Sequence, residues 1–590
     1  MSSHQYVWKF IGDYHRLANS NLTSRRQPRI RRVLRRLLSS ILPDRIARRV
    51  FPSTPPLSMD GSPGSSGSKA PRRLNLSSLL HVGRVIPWGR RTFCVSPCLQ
   101  RLLTVWTGRV TVNILPDDVL LHIFHFDQAI YLDGLYSPPR SADEAVLRHC
   151  WQWRRLVDVC RRWRSVVFAS PNFLNLRLVI GNPASPRIKF LRLYPPLPII
   201  VGNIIDFPLP DNQYFDPAIM HHNRLCEIYF FHLSSSLLQR LASAMQEQLP
   251  ALTHLMLDAE SYYNPSPPAL PDGFLGGSAP SLQSLVFHSI PFPALPKLLL
   301  TATDLVELTL TQIPHNGYFP PGAIATGLAV SANLESLTIG FQSPLSLPDR
   351  ASRRPPPPMR SVLPALTQFD FKGVSEYLED LLTWIDAPSL AFISVTFFNQ
   401  LIFNIPQLTQ FMRRTPKFGT INEARVYFSI DFISVRSLST QTSDEGFRLS
   451  ILCKKLDWQL SSLAQVLSGS SPFLPTYMVE HLRVICRLGN SEPDWSDVEI
   501  EQWREICHPF TAVKNLYIYK EFSKHIASAL LQEPVGEIAT DSLPALESLF
   551  LKELQRSGPV QEAIGKFVAA RALSGHPITV SQWDRGQDWW

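Results

Sequence analysis

The amino-acid sequence predicts an α/β protein in which a small all-α segment precedes an irregular solenoid of strand–helix units with a parallel concave sheet. Three observations support this fold class. A short apolar phrase recurs along the C-terminal part of the chain. Segments with helical periodicity lie between its copies, and two further helical patterns precede the first copy. Self-similarity of this kind indicates structural units stacked on one another.

The 590 residues exceed what one hydrophobic core usually organises, so we expect several regions. The hydrophobic fraction of 45% against a charged fraction of 18% favours a packed interior. The chain has 51 prolines and 27 glycines, which favours short elements joined by frequent turns. The predicted regions are a basic, largely disordered region at 1–110, a helical module at 111–180, a connecting segment at 181–221 and the repeat region at 222–590.

The positive charge belongs to one end of the chain. Residues 1–110 contain 20 Lys/Arg and 3 Asp/Glu, whereas the remainder contains 38 and 45. The segment 25–49 has the pattern of a basic amphipathic helix, and the run 53–68 has the composition of a linker. Three interpretations of this end stay open: a disordered tail, which we favour, an organelle-targeting segment, or a nuclear-localisation or nucleic-acid patch.

The cysteines indicate a reducing compartment. Of eight cysteines, Cys94 and Cys98 form the only close pair, which is neither a disulfide framework nor a zinc-ligand spacing. We therefore expect the cytoplasm or the nucleus. No apolar run approaches the roughly 20 residues that span a bilayer, and the N-terminus lacks a secretory leader pattern.

The helical module opens with a helix start at Pro116. Proline at the first helical position loses no needed N–H, and Asp117 and Asp118 favour the positive end of a helix. A second helical pattern opens at Trp151 and stops at Ser170-Pro171. The residues predicted to form the two apolar faces are Val119, Leu120, Ile123 and Phe124 in the first helix and Leu156, Val159, Cys160, Trp163 and Val167 in the second.

These two motifs resemble the F-box family. The matching residues read Leu-Pro-Asp-Asp-x-Leu-x-x-Ile-Phe from position 115 and Leu-Val-x-Val-Cys-Arg-Arg-Trp-Arg from position 156. The extension PNFLNLRL at 171–178 looks like that of F-box proteins from mushroom-forming fungi. The match covers about 65 residues, by the count of positions from the first motif to the end of the extension. It departs from the family in a long insert at 127–150.

The resemblance implies a small three-helix module that docks on the Skp-type adaptor of a cullin–RING ubiquitin ligase. A segment this short does not bury both faces of its apolar residues alone, so a partner groove is expected. The alternative is that these residues pack on the following domain. The residues that the resemblance assigns to adaptor binding are Leu115, Pro116, Ile123, Leu156, Val159 and Trp163.

The repeated phrase has the form L-x-x-L-x-L, which is the strand half of a leucine-rich repeat. Its copies lie at 251–257, 281–287, 304–310, 333–339, 365–371, 389–395, 512–518 and 545–551, with weaker copies at 224–230 and 479–485. Helical patterns between copies, such as 237–245, 378–385 and 460–467, supply one helix per unit. Most copies lack the asparagine that usually follows the strand phrase, so we expect a degenerate repeat with irregular unit lengths.

Strand side chains between the leucines are predicted to point away from the core, onto the concave face. A mixed polar and aromatic surface suits protein recognition, although a merely solvated face is an equally good reading for any one residue. The candidate substrate-binding residues are His254, Met256, His288, Glu307, Thr309, Gln368, Asp370, Phe392, Arg483, Tyr517 and Tyr519.

The sequence contains no constellation typical of catalysis. It has no Gly-rich phosphate loop, H-E-x-x-H or G-x-S-x-G motif. The pair His221-His222 stands alone, and the run 353–358, RRPPPP, is interpreted as an inserted loop rather than a polyproline ligand. We therefore expect no enzymatic activity, no metal and no cofactor in this chain.

Three functional hypotheses follow. The first is a substrate-recruiting subunit of a ubiquitin ligase that docks on a Skp-type adaptor and binds an unknown protein substrate. The second is a repeat-based interaction scaffold without ligase association. The third is a nucleic-acid-associated or organelle-targeted protein governed by the basic N-terminus. We favour the first, which involves neither a membrane nor nucleic acid as a partner.

Overall fold

The structure is a computed structural model that describes residues 115–132, 153, 155–180, 196–202, 219–259, 267–346, 360–420, 422–438, 446–468, 476–487, 500–531, 543–552 and 559–583. The basic region 1–110, the run 353–358 and residues 133–150 of the predicted insert lie outside the described residues. The chain divides into two compact units at Leu176 and Arg177, which are taken separately below.

The first unit contains the helices α1 (Asp117–Leu132) and α2 (Arg161–Ala169), with a helical turn at 155–157. Helix α1 begins directly after Pro116, with Asp117 and Asp118 in its first turn, as the sequence predicts. It continues to Leu132 and so includes the beginning of the segment predicted to be an insert.

The second helical pattern does not form one continuous helix, contrary to the prediction. Cys160 has an extended backbone (φ −159°, ψ 171°), and its Sγ accepts a hydrogen bond from the Trp163 amide at 3.5 Å. Cys160 is therefore the N-cap of α2 rather than a packing residue on a helix face. Leu156 and Trp163 consequently belong to different helical segments.

The second unit alternates strands and helices. Its strands are β1 (Leu178–Ile180), β2 (Ile199–Gly202), β3 (Leu225–Leu233), β4 (His254–Ala259), β5 (Ser284–His288), β6 (Glu307–Ile313), β7 (Ser336–Phe341), β8 (Ser361–Val362), β9 (Gln368–Gly373), β10 (Ile385–Asp386), β11 (Phe392–Phe398), β12 (Glu423–Ser429), β13 (Phe432–Leu438), β14 (Gly446–Leu452), β15 (His481–Arg487), β16 (Asn515–Ile518), β17 (Ser548–Lys552) and β18 (Thr579–Trp583). Its helices are α3 (Ser235–Ala244), α4 (Leu295–Leu299), α5 (Pro321–Leu328), α6 (Ser375–Leu382), α7 (Pro406–Arg414), α8 (Leu456–Ser468), α9 (Ile500–Cys507), α10 (Lys520–Leu531) and α11 (Pro559–Leu573).

Within the described residues, sixteen of these strands form one sheet in the order β1-β2-β3-β4-β5-β6-β7-β9-β11-β14-β13-β12-β15-β16-β17-β18. Strands β8 and β10 pair separately. Neighbours from β1 to β11 and from β15 to β18 are parallel, which is the arrangement of an α/β solenoid. The sheet begins at Leu178, within segments that the sequence analysis assigned to 111–180 and 181–221.

The sheet is not parallel throughout, which corrects the predicted architecture. Strand β13 is antiparallel to both β12 and β14, and β14 then pairs in parallel with β11. Only Ile430 and Asp431 join β12 to β13, whereas a parallel pairing requires a crossover of about a dozen residues or more. The chain therefore folds back as a hairpin at this point.

Alternation of side chains explains why the repeated phrases become strands. In each unit the phrase's leading leucine and its alternate strand residues point to the same side, where they are buried. In the core, Phe428 of β12 contacts Trp503 of α9 and Phe522 of α10, with ring centroids 5.5 and 4.8 Å apart. The helices thus cover one face of the sheet. We call the opposite face the open face.

A backbone hydrogen-bond pattern links successive units at the starts of their strands. The Gln283 carbonyl accepts from the amides of Val306 and Glu307, at 2.8 and 2.9 Å. The same arrangement recurs where Glu335 O accepts from the amides of residues 367 and 368. Because the acceptor is a main-chain carbonyl, the link does not use the side chains of Gln283 and Glu335.

Side chains also link neighbouring units at the helix starts. The buried Glu379 of α6 accepts from the amides of Gln407 and Leu408 at 2.7 and 2.9 Å. These amides lie in the first turn of α7, where backbone N–H groups have no helical partner. The buried Tyr377 donates its hydroxyl to Phe319 O at 3.1 Å. One unit thereby supplies polar partners for another.

Candidate functional site

The core of the first unit forms where α1 meets α2. The rings of Phe124 and Trp163 lie 4.7 Å apart between centroids, and both side chains are buried. Leu120 and Val167 are buried beside them. The apolar faces predicted for the two helices therefore pack on each other.

Arg162 fixes the start of α1. Its Nε donates to Asp117 Oδ1 at 2.9 Å, and its Nη2 donates to the same oxygen at 2.6 Å and also to the Leu115 carbonyl. The side chains of Arg162 and Asp117 are 32% and 65% exposed, so the contact lies at the surface of the unit. It ties the Leu-Pro-Asp turn to the second motif.

The six residues predicted to bind an adaptor fall into two groups. Leu156 and Trp163 are buried in the unit's own core. The other four are half-buried and retain accessible apolar surface; they are Leu115, Pro116, Ile123 and Val159.

Phe173 is an exposed aromatic residue that the sequence analysis did not select. Its side chain is 42% exposed, and its ring lies 5.3 Å from the His122 ring and 5.0 Å from the His125 ring. It adds apolar surface next to α1. Its neighbours in sequence, Asn172 and the buried Leu174, gave no signal that the Phe173 side chain is exposed.

In the second unit, every predicted substrate-binding residue lies on the open face, and the strand register shows which of them are neighbours. Met256 lies opposite Val286, and Val286 opposite Thr309. Two residues earlier on each strand, His254 lies opposite Ser284, and Ser284 lies opposite Glu307. Ser284 Oγ donates a hydrogen bond to Glu307 Oε2 at 2.9 Å.

Asp258 and His288 add a half-buried polar pair to this half of the open face. They lie opposite each other in register. Burial raises the pKa of the Asp258 carboxyl, while His288 and His232 act in the opposite direction. His288 Nδ1 also lies 2.8 Å from Thr311 Oγ1.

A second group of predicted residues forms an aromatic and cationic cluster around Tyr517. The rings of Tyr517 and Phe550 stack at 4.5 Å with an interplanar angle of 10°. The guanidinium of Arg483 lies 4.7 Å above the Tyr517 ring and 5.6 Å from the Trp583 ring, within the range of cation–π attraction.

Tyr519 joins the same cluster from the other side. Its ring lies 5.4 Å from that of Trp583, and Lys552 Nζ lies 3.9 Å above it. Trp583 is buried, and its Nε1 has no hydrogen-bond partner among the described residues. Phe392 is not part of the cluster, because β14, β13 and β12 separate its strand from that of Arg483.

Sequence reasoning missed a row of arginines across the hairpin. Arg448 of β14 lies opposite Arg436 of β13, Arg436 lies opposite Arg425 of β12, and Arg425 lies opposite Arg483 of β15. We call these four residues the arginine row. Tyr517 continues it on the next strand.

The charge on the strands of the large sheet is divided between its two halves. From β3 to β11 the acidic residues are Glu227, Asp258, Glu307 and Asp370, with Lys372 as the cation besides histidines. From β12 to β18 the acidic residue is Glu423, against the arginine row, Arg487 and Lys552.

Two other kinds of site are absent from the part of the chain that the structure describes. No group of three or more His, Cys, Asp or Glu side chains in these residues is placed to hold a metal ion. In the same residues, no helix has both the length and the apolar character needed to cross a membrane.

No protein-family model and no curated protein matches this chain. Among solved structures, the chain is similar to the leucine-rich repeat-containing protein LegL7 from Legionella pneumophila. The identity is 14% and the TM-score 0.22, over 66% of this chain and 96% of that chain. The assignment of the fold rests on the strand register of this chain itself.

Proposed function

We propose that this chain is a non-catalytic receptor that binds a protein target on the open face of its sheet. The observation that carries this proposal is the in-register open face, on which half-buried polar and aromatic side chains of successive strands form a continuous surface. Surfaces enriched in Tyr, Trp, Phe and Arg are typical of protein interfaces.

The helical unit is proposed to dock on a Skp-type adaptor of a cullin–RING ubiquitin ligase, as the F-box resemblance implies. Leu115, Pro116, Ile123 and Val159 supply accessible apolar surface, and Arg162 holds Leu115 and Asp117 in place. Ligase chemistry then belongs to other subunits. The chain contributes by raising the local concentration of its target, and this role assigns it to the cytoplasm or the nucleus.

Adaptor binding is tested by co-purification of the full chain with a Skp-type adaptor. The double variant Leu115→Ala/Ile123→Ala is expected to lose most adaptor binding, because it removes apolar contact area without disturbing Phe124 or Trp163. The control is Arg164→Ala, an exposed residue of α2. Circular dichroism checks that each variant folds.

The scaffold hypothesis predicts a different result. If the wild-type chain captures its target but no adaptor, the chain is an interaction scaffold without ligase association. If the double variant binds the adaptor as well as wild type does, the docking surface proposed here is wrong.

A further inference from the structure

Lys372 is a half-buried amine on the open face that has no counter-charge. It lies on β9, opposite Gly340 of β7 and Thr396 of β11, neither of which is charged. In the described part of the chain no carboxylate forms an ion pair with it. Its Nζ lies instead 5.7 Å from the centroid of the Phe398 ring, a largely buried aromatic side chain.

The carboxylates nearest to Lys372 along the chain have other partners. Asp370 Oδ2, two residues earlier on the same face, accepts a hydrogen bond from Gln368 Nε2 at 2.7 Å. Glu376 Oε2 accepts one from Gln400 Nε2 at 2.8 Å. Burial lowers the pKa of the Lys372 amine, because the ammonium form loses contact with water. More of this amine is therefore neutral, and so nucleophilic, than in an ordinary lysine.

Gly340 leaves a gap in the open face beside this amine. A Cβ built at Gly340 would lie 3.6 Å from Lys372 Cβ, 3.7 Å from Leu310 O and 3.8 Å from Thr311 Cα. These are ordinary van der Waals distances, so a small group fits between Thr311 and Lys372. Gly340 itself is buried, which makes the gap narrow at its floor. We call the space between Thr311 and Lys372, above Gly340, the glycine slot.

Threonine hydroxyls surround the glycine slot. Thr311 lies across the slot from Lys372, Thr338 lies two residues before Gly340 on β7, and Thr396 lies on the other side of Lys372. Hydroxyl groups donate hydrogen bonds to carbonyl oxygens. Negative charge grows on such an oxygen when an amine attacks the carbonyl carbon. These surroundings favour a small carbonyl compound next to the amine.

We propose that Lys372 is a modification site, at which a small acyl thioester acylates Nζ through the glycine slot. The amine lone pair attacks the thioester carbonyl carbon, the C–S bond breaks, and an amide bond forms. The leaving thiolate takes up the proton that the amine releases, so the step needs no oxidant or reductant.

Acylation changes the charge of one half of the open face. Lys372 is the only lysine or arginine on the described strands β3 to β11 of the large sheet, and the amide product is neutral. The inference goes beyond the proposed function and does not depend on it, because the chemistry needs neither a bound target nor an adaptor.

Three surface lysines serve as internal references. Lys297 and Lys566 form ion pairs with Asp272 and Glu562, at 2.9 and 2.8 Å. An ion pair favours the ammonium form, which is not a nucleophile. Lys454 is exposed to solvent and serves as the reference without burial.

The test treats the full chain with S-acetyl-N-acetylcysteamine, a small acetyl thioester, and follows each lysine by peptide mass spectrometry. At about pH 7.5, Lys372 is expected to be acetylated about fivefold or more faster than Lys454, Lys297 and Lys566. After unfolding in urea, the four lysines are expected to react at similar rates, because the difference comes from the fold.

The variant Gly340→Val fills the glycine slot and leaves the amine in place. It is expected to slow acetylation of Lys372 by about fivefold or more. Ser336→Val is the matched control, because it adds the same side chain to the same face of β7, about 13 Å away. Circular dichroism checks that both variants fold. Gly340→Ala, which the distances around Gly340 accommodate, replaces the valine variant if that variant does not fold, and is expected to slow acetylation by about twofold.

Three results would overturn the inference. The first is acetylation of Lys372 in the folded chain no faster than that of Lys454. The second is an excess rate at Lys372 that persists after unfolding, and the third is an unchanged rate at Lys372 when the slot is filled. Capture of a target and binding of the adaptor are measured without thioester, so failure of the receptor function is seen separately.

Discussion

The guanidinium of Arg162 bonds both the Asp117 carboxylate and the Leu115 carbonyl, which joins the two halves of the helical unit at their ends. This contact fixes the turn before α1 against the first turn of α2. Cys160 is the N-cap of α2, which begins at Arg161. The cap thereby determines the direction in which the Arg162 side chain projects. The position of Leu115 thus depends on a residue 47 positions later in the sequence.

Replacing Arg162 with Ala is expected to loosen the start of α1. The pair is partly exposed, so the loss in stability is about 1 kcal/mol. Hydrogen exchange of the amides at 117–124, followed by mass spectrometry, is expected to be faster than in wild type. Arg164→Ala, an exposed change on the same helix, is the control. Equal protection in both variants would contradict the assigned role.

Glu379 is expected to make stability depend on pH. Burial raises the pKa of its carboxyl to about 7, although the Leu408 and Gln407 amides act in the opposite direction. This pKa is higher in the folded chain than in the unfolded chain. The contribution of the carboxyl to the free energy of unfolding is therefore fully present below a pH of about 4.3, the ordinary pKa of glutamate. That contribution, on the order of 3 kcal/mol, is lost as the pH rises through about 7.

The measurement is the thermal midpoint of wild type and Glu379→Gln between pH 4 and pH 8. The wild-type midpoint is expected to fall more steeply with pH than that of the variant, which does not titrate and keeps an amide oxygen for one of the two N–H donors. Parallel curves for the two proteins would show that Glu379 titrates as it does in the unfolded chain.

Replacing two glycines with alanine is expected to change the stability of the protein in opposite directions. A Cβ at Gly317 would lie 2.7 Å from Pro291 Cα, so Gly317→Ala forces the backbone apart and costs about 1–3 kcal/mol. Gly565 lies exposed in α11 with nothing within 4 Å of its Cβ position, so Gly565→Ala stabilises the helix by about 0.5–1 kcal/mol. Denaturant unfolding measures both effects, and equal effects of the two substitutions would contradict the packing described here.

Buried thiols are expected to resist alkylation in the native protein. Burial raises the pKa of both Cys226 and Cys507 to about 12, so little reactive thiolate forms at neutral pH. Cys160 is half-buried and serves as the native comparison. Peptide mass spectrometry after iodoacetamide treatment is expected to show faster labelling at Cys160, and similar labelling at all three after denaturation. Rapid native labelling of Cys507 would show that α9 opens readily.

The repeated phrases predicted the strands well, because each carries its own evidence. The leading leucine and the alternating apolar residues at 252–257, for example, define both a strand and the side that is buried. Pro406 and Ser234 begin their helices for local reasons as well. Cys160 was wrongly predicted to lie on a helix face, because an apolar residue at helical spacing gives no sign that its backbone is extended.

The order of the strands in the sheet could not be predicted from the local sequence. Ile430 and Asp431 lack the glycine or asparagine that marks a tight turn, so the hairpin gave no signal. Arg483 and Tyr517 could be selected because alternation places them on the open face. Their neighbours Arg425, Arg436 and Arg448 depend on which strands adjoin, and that is determined only when the chain has folded.

The hairpin also has a consequence for how the sheet assembles. From β1 to β11 each strand of the large sheet pairs with the preceding strand of that sheet, as when Phe392 pairs with Gln368, so ordering can spread along the chain from one unit to the next. At β11 this propagation stops, because the partner of Phe392 on its other side, Gly446, arrives only after β12 and β13 have formed. A longer loop must therefore close before β14 can pair with β11. The entropy cost of closing that loop makes this junction the slow step in joining the two blocks of repeats.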